Sequence, residues 1–278
     1  MFFSTKGDVL TRDLKGKWVL VTGAASGIGR ELCLILSKEG CNLILADINE
    51  DGARNLASEI EVIGVDVHFK KTDVADIEQI NALKEFVSEK AGSLDVLVNC
   101  AGVGRSSALL DTTAAQWESI MRINFHSAVN MTEAFVPSLK KTGGQIVNIS
   151  SGLVFFPAPT WGVYATTKSA LASFSECLSW ELKGLGIAVT TVFPGVINTP
   201  FYSELKAETA PEKLVVWLIN KFGTEPEKIA WLIAQGIKKR KRRVMHSWIN
   251  RTTYLGRRLL PCAFDLLGEA IAGALQKK

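Results

Sequence analysis

The chain has 278 residues, room for one substantial α/β core, and a composition (47% hydrophobic, 22% charged) that excludes disordered and fibrous classes. Five widely spaced cysteines without a Cys-x-x-Cys pair, together with three scattered histidines, argue against a disulfide framework or a metal site and for a reducing compartment. The net charge is +4, the first residues offer no long apolar run, and no stretch reaches the ~18 uncharged apolar residues of a spanning helix, so a cytoplasmic protein is expected.

Apolar, strand-like runs alternate with amphipathic stretches, which predicts a Rossmann-type doubly wound parallel sheet with helices on both faces. Strands are predicted near 17–22, 42–46, 65–70, 94–99, 144–150 and 187–193, with helices beginning near 27, 50, 76, 114 and 161. The first strand, Trp18-Val-Leu-Val21, runs into Thr22-Gly-Ala-Ala-Ser-Gly-Ile-Gly29 and then an amphipathic helix. Strand, glycine turn and helix in that order suit a dinucleotide pyrophosphate: bare glycines admit its close approach and the helix N-terminus offers N–H donors. Gly23, Ser26, Gly27, Ile28 and Gly29 are therefore candidate cofactor contacts, although their spacing departs from Gly-x-Gly-x-x-Gly. The second strand ends at Asp47, placed to accept hydrogen bonds from the adenosine ribose and to repel a 2′-phosphate, so NAD is favoured over NADP.

Further along, Tyr164 and Lys168 stand four residues apart and share a helix face, with Ser151 13 residues upstream of the tyrosine. A cation beside the phenol favours its phenolate and makes it a usable base. Ser151 would hydrogen-bond a substrate oxygen.

In combination these motifs resemble the short-chain dehydrogenase/reductase family from about Lys15 to about Pro200. The resemblance implies that Asn124, Ser151, Tyr164 and Lys168 are the catalytic set. Asp73 and Val74 would contact the adenine, and Asn99-Cys-Ala-Gly102 would border the cofactor. Cys100 replaces the second Asn of the family's Asn-Asn-Ala-Gly element, while Ile197 and Thr199 would hold the nicotinamide carboxamide. Tyr164 and Lys168 would also touch the cofactor, Lys168 through the nicotinamide ribose. The same resemblance implies a homodimer or homotetramer.

After Thr199 the chain becomes apolar, with Phe201-Tyr202 and Leu214-Val-Val-Trp-Leu-Ile219 as a lid candidate over about 200–225. Leu153-Val-Phe-Phe156 and Trp161 are expected to line the same mouth, which points to a lipophilic alcohol or ketone such as a steroid, retinoid or other lipid. Residues 231–278 carry 11 Lys/Arg against 2 Asp/Glu, concentrated in Lys238-Lys-Arg-Lys-Arg-Arg243. Basic residues interleaved with Trp248, Leu255, Leu259 and Leu260, then a stripe of Phe264, Leu267, Ile271 and Leu275, suit peripheral contact with an anionic membrane; a solvated face or pocket closure suits them as well. No nucleic-acid module accompanies the run. The domain division is thus an N-terminal extension (1–14), a catalytic domain (15–230) and a basic C-terminal extension (231–278) packed on it. The alternative function is a non-catalytic dinucleotide-binding scaffold at a membrane surface, against which the complete catalytic set argues.

Overall fold

The computed structural model describes residues 11–158, 160–198 and 223–276. Thr199 and the lid segment up to residue 222, including Phe201, Tyr202 and Leu214 to Ile219, lie outside them, as do residues 1–10 of the N-terminal extension.

Seven strands form one sheet: β1 (Trp18–Thr22), β2 (Asn42–Asp47), β3 (Val67–Lys71), β4 (Val96–Asn99), β5 (Gln145–Ile149), β6 (Ala188–Phe193) and β7 (Arg243–Met245). Their order is β3-β2-β1-β4-β5-β6-β7, and every neighbouring pair is parallel. Parallel strands need crossovers, so both faces are covered and the strands read as continuous apolar runs. Alternation along each strand divides the core in two. Val19, Val21, Leu43, Leu45, Val96 and Val98 face one layer, and Leu20, Ile44 and Leu97 face the other.

The first layer holds α1 (Gly27–Lys38), α2 (Glu50–Glu61) and α7 (Pro226–Lys238). In α7 a stripe of Ile229, Ile233 and Ile237 is completely buried beside α1. The second layer holds α3 (Ile77–Ala91), α4 (Ala114–Met121), α5 (Ser127–Thr142) and α6 (Gly162–Glu181). Helix starts carry local signals: Asn49 accepts from the Gly52 N–H, Asp76 from the Glu78 and Gln79 N–H groups, and Thr113 with Gln116 forms a capping box. Two further helices, α8 (Trp248–Leu259) and α9 (Pro261–Gln276), follow β7.

The C-terminal part departs from the sequence-based division. The boundary drawn at 230 falls inside α7, and the end of the basic run is the seventh strand. Val244 is buried in the core on the α7 side of the sheet, while Lys238, Arg240, Arg242 and Arg243 find ion-pair or hydrogen-bond partners in the domain. Lys238 pairs with Glu39 and Arg243 with Glu176. Arg242 donates to the Ser179 hydroxyl at 2.9 Å, and Arg240 donates to the Gly143, Gly144 and Gly186 carbonyls at 2.7–2.9 Å. Gly143 closes α5 and Gly186 closes the turn before β6, where carbonyls outrun the helix's own donors, and a guanidinium can serve several acceptors at once. No helix among the described residues is long and apolar enough to cross a membrane.

Candidate active site

The strand order reverses between β1 and β4, which opens a crevice at the carboxyl ends of the strands. Gly23 turns the chain there with φ +66°, and an added Cβ would stand 2.9 Å from the Ala101 backbone. Gly29 is tighter still: its Cβ would meet the Gly23 carbonyl oxygen at 2.0 Å, so α1 can lie this close to the turn only with glycine there. Thr22 ties the two strand ends together. Its hydroxyl accepts from the Cys100 and Ala101 N–H groups at 3.0 and 3.1 Å and donates to the Val98 carbonyl at 3.3 Å.

A cleft of about 190 Å³ lies over this crevice. Gly23, Ser26, Gly27, Ile28 and Gly29 line one side, and Cys100, Ala101 and Gly102 the next. Ser151, Tyr164 and Lys168 stand opposite with Ile197. No side chain caps the N-terminus of α1, so its first N–H groups have no side-chain acceptor of their own. Glycine floor, open helix start and buried cation fit a dinucleotide, whose pyrophosphate the α1 end would hold and whose nicotinamide ribose Lys168 would hold.

Lys168 is 4% exposed and donates to the Ile149 carbonyl at 2.9 Å. Burial lowers its pKa from 10.5 to about 8, an effect the Cys100 thiol partly opposes. Its ammonium lies 5.8 Å from the centre of the Tyr164 ring, one helical turn away on α6. Ser150 fixes that turn by donating to the Lys168 carbonyl at 2.8 Å. The Ser151 hydroxyl accepts from the Leu153 N–H at 3.2 Å, which holds it at the mouth of the 3₁₀ turn Gly152–Val154.

Asn124 sits in a π-helical turn, Arg122–His126, that joins α4 to α5. The Asn124 side chain is buried beside Gly102, behind the lining of the cleft rather than in it. Its amide donates to the Val103 carbonyl at 2.9 Å and the Thr167 hydroxyl at 3.1 Å, and accepts from the Val103 N–H at 2.8 Å. A Cβ on Gly102 would stand 3.1 Å from Asn124 Oδ1 and 3.2 Å from Lys168 Nζ, so glycine there lets both groups approach one point.

The other predicted contacts are more dispersed. Asp47 ends β2 with its carboxylate beside the glycine turn, accepting from the Ala25 and Asn49 N–H groups, both at 2.8 Å. Asp73 begins the loop after β3 and accepts from the Ala75 N–H at 2.8 Å, and Val74 beside it is buried. Asn99 turns inward, its amide donating to Asn148 at 2.8 Å, and Asn148 donates on to Ser175 at 2.8 Å. That side chain holds β4 to β5 and α6 and does not line the cleft. Burial pushes the Cys100 thiol up to about 12, so it is inert as a nucleophile and contributes shape.

The expected mouth also rearranges. Trp161 stands edge-on to Tyr164 at 5.7 Å, but Phe155 packs on Phe193 and Tyr254 at 4.8 and 5.2 Å, and Phe156 on Phe264 at 6.0 Å. The two phenylalanines thus serve the junction with α8 and α9. Sequence reasoning missed Asn250 at the start of α8. It donates to the Phe193 carbonyl at 2.9 Å, and its amide lies 2.7–3.0 Å from where a Gly152 Cβ would be. Ser247, which accepts from the Asn250 N–H at 3.1 Å as an N-cap, was the one local sign of that helix start.

The family model described as short chain dehydrogenase matches residues 17–210. The chain belongs to the short-chain dehydrogenase family. It is 36% identical over 236 residues to the probable oxidoreductase EphD of Mycobacterium tuberculosis, covering 80% of this chain and 40% of that one. The chain therefore spans about two fifths of that relative's length. Likeness to the 3-oxoacyl-[acyl-carrier-protein] reductase FabG of Thermotoga maritima is 34% over 221 residues, covering 79% of this chain and 89% of the other. A dehydrogenase/reductase from Sinorhizobium meliloti superposes with TM-score 0.76 at 29% identity, over 85% of this chain and 96% of that one. A family structure from Burkholderia phymatum, in complex with NAD, superposes with TM-score 0.82 over 89% of this chain and 94% of that one; at 23% identity it supports the fold alone. The chain thus carries the dinucleotide-binding fold of that family.

Proposed function

We propose that this dehydrogenase is NAD-dependent, interconverts a secondary alcohol and a ketone, and prefers a lipophilic substrate. The observation that carries the reaction is the meeting of Ser151, Tyr164 and the buried Lys168 in one cleft against the glycine turn. NAD, when bound, supplies the hydride acceptor in oxidation and the donor in reduction. Tyr164 takes the hydroxyl proton of the alcohol, or gives it to the ketone oxygen in the reverse direction. Lys168 stabilises the phenolate when it forms through its charge, and Ser151 donates to the substrate oxygen as charge builds on it. Asn124 is a positioning residue: with its amide committed to Val103 and Thr167, it holds the loop after β4 against α6 and so shapes the wall beside Lys168.

Asp47 supports NAD over NADP, because a carboxylate anchored beside the glycine turn repels a 2′-phosphate. The lipophilic preference draws on Trp161 beside Tyr164, on Leu109, whose side chain presses on Gly162, and on half-exposed Val103 and Val196 at the loop ends. Replacement of Tyr164 by Phe should abolish turnover, followed by nicotinamide absorbance with a panel of steroid, retinoid, fatty and short-chain alcohols, while NAD binding persists. Unchanged turnover overturns the mechanism, and turnover confined to short polar alcohols overturns the substrate class. We also infer a homodimer or homotetramer, checked by sedimentation velocity, and a peripheral contact with an anionic membrane through α8 and α9.

A further inference from the structure

A second cavity, of about 600 Å³, lies beside the cofactor cleft, and the chain that runs on from Ser151 forms a wall of both. Its floor is one face of β6 and β7, where alternation brings Val189, Phe193 and Met245 to the same side. One wall is α6, which contributes small residues such as Ser169, Ala172 and Ser173. The other is α8. Cavities of 300 to 1,000 Å³ with apolar floors and a few polar groups are the usual form of small-molecule sites.

The charge around this cavity is unbalanced. Arg242, Arg243, Arg257 and Arg258 line it, and the single carboxylate among the lining residues is Glu176. Arg243 pairs with that carboxylate. The other three have no carboxylate partner among the described residues. Arg242 donates to the Ser179 hydroxyl and lies 5.8 Å from the Trp180 ring, and Arg257 donates to the Phe155 carbonyl at 3.2 Å. Arg258 stacks 4.4 Å from the Tyr254 ring centre. Stacking and neutral acceptors fix the planes of these guanidiniums yet leave their charge uncompensated, and a planar fork held in this way matches carboxylate and phosphate oxygens.

We propose that this cavity binds an anionic amphiphile: one carboxylate or phosphate borne on an apolar body. The head group pairs with Arg242 and Arg258 at the rim, and the body covers Phe193 and Met245 on the floor. Neither charge alone nor greasiness alone accounts for both parts of the lining. The site lies apart from the glycine turn and stands whether or not the proposed substrate class is right.

The full chain is titrated calorimetrically with dodecyl phosphate below its micelle concentration, with inorganic phosphate and dodecanol as controls. Dodecyl phosphate should bind at one site per chain and far more tightly than either control. The Arg242→Gln/Arg258→Gln double variant should weaken that binding by at least about tenfold, as loss of charge-assisted hydrogen bonds predicts. A separate Ala172→Phe variant fills the cavity and should do the same; cooperative melting shows that each variant is folded. Sedimentation with phosphatidylglycerol vesicles tells the two sources of such a ligand apart. If vesicle binding falls with the double variant, the head group belongs to a bilayer lipid; if it does not, the ligand is a free amphiphile. Equal binding of dodecyl phosphate by the wild type and both variants overturns the proposal. So does binding of either control as tight as that of dodecyl phosphate, or no binding at all.

Discussion

Lys168 shows what the site costs the fold. Its pKa falls from 10.5 to about 8 on burial, so the folded chain holds the charged form less readily than the unfolded chain does. Between those values the unfolded state binds more protons, and stability must rise with pH across roughly 8 to 10.5. At neutral pH the penalty is on the order of 3 kcal/mol at ~1.4 kcal/mol per unit. Lys168→Met should therefore abolish turnover yet raise stability at pH 7 by about 1–3 kcal/mol, the lost bond to the Ile149 carbonyl offsetting part of the gain. Urea melts at pH 7 and pH 10 check this, because the advantage should shrink at the higher pH; a variant less stable at both would contradict it. Asp47→Ser should relax the preference for NAD, measured as the ratio of kcat/KM with the two cofactors; a wild type that already prefers NADPH refutes the assignment. Side chains such as Ser151, Tyr164 and Lys168 were legible because their chemistry depends on short spacings along one helix and its preceding loop. Asn250, Thr22 and Asn99 were not legible as structural ties, since their partners lie 49 to 78 residues away or more along the chain.

Elements built on long apolar periodicity were equally legible: β1 to β6 and the helices between them fall close to where the pattern placed them. The π-helical turn at Arg122–His126 was not, because over five residues its shift in phase does not stand out from the helices on either side. β7 was missed for a different reason. It has three residues, of which Val244 alone is buried, and the basic run that leads into it suggests solvent. Its pairing is decided by the open edge of β6 rather than by its own composition. Two substitutions test these elements. Gly29→Ala places a methyl against the Gly23 carbonyl and should separate α1 from the turn, destabilising the fold by about 1–3 kcal/mol and weakening NAD binding together. Asn250→Ala leaves the Phe193 carbonyl only its longer bond from the His246 N–H, at 3.4 Å, and should lower stability by about 0.5–1.5 kcal/mol in a denaturant melt. An unchanged midpoint would show that α8 does not brace the loops around Ser151.

Across the whole molecule, charge segregates: the last 48 residues are strongly basic, and the remainder is acidic by 5. The sequence suggested a basic extension packed on the catalytic domain. In the structure the basic run is stitched into the sheet and two helix ends, so a truncation at 238 would remove a strand and could not isolate a membrane contact. That contact, if it is made as proposed, falls to exposed Trp248, Leu259, Leu260 and Leu266; the side chains of Leu267, Ile271 and Leu275 lie outside the described residues. Changing Trp248, Leu259 and Leu260 together to Ser should reduce co-sedimentation with anionic liposomes, and undiminished binding would end the idea.

The stitched run also makes the molecule its own proteolytic gauge. Trypsin cuts after lysine and arginine, and Lys238 to Arg243 offers it six consecutive targets. A protease needs slack, unpaired chain, whereas the Arg242 carbonyl is bonded to Thr191 and the Lys241 carbonyl to the Thr190 hydroxyl. Clipping there must wait until the final strand peels away, so its rate reports how often that edge opens. Because Asn250 joins the next helix to Phe193, a molecule that stiffens the neighbouring loops will lengthen the survival of bonds it never touches.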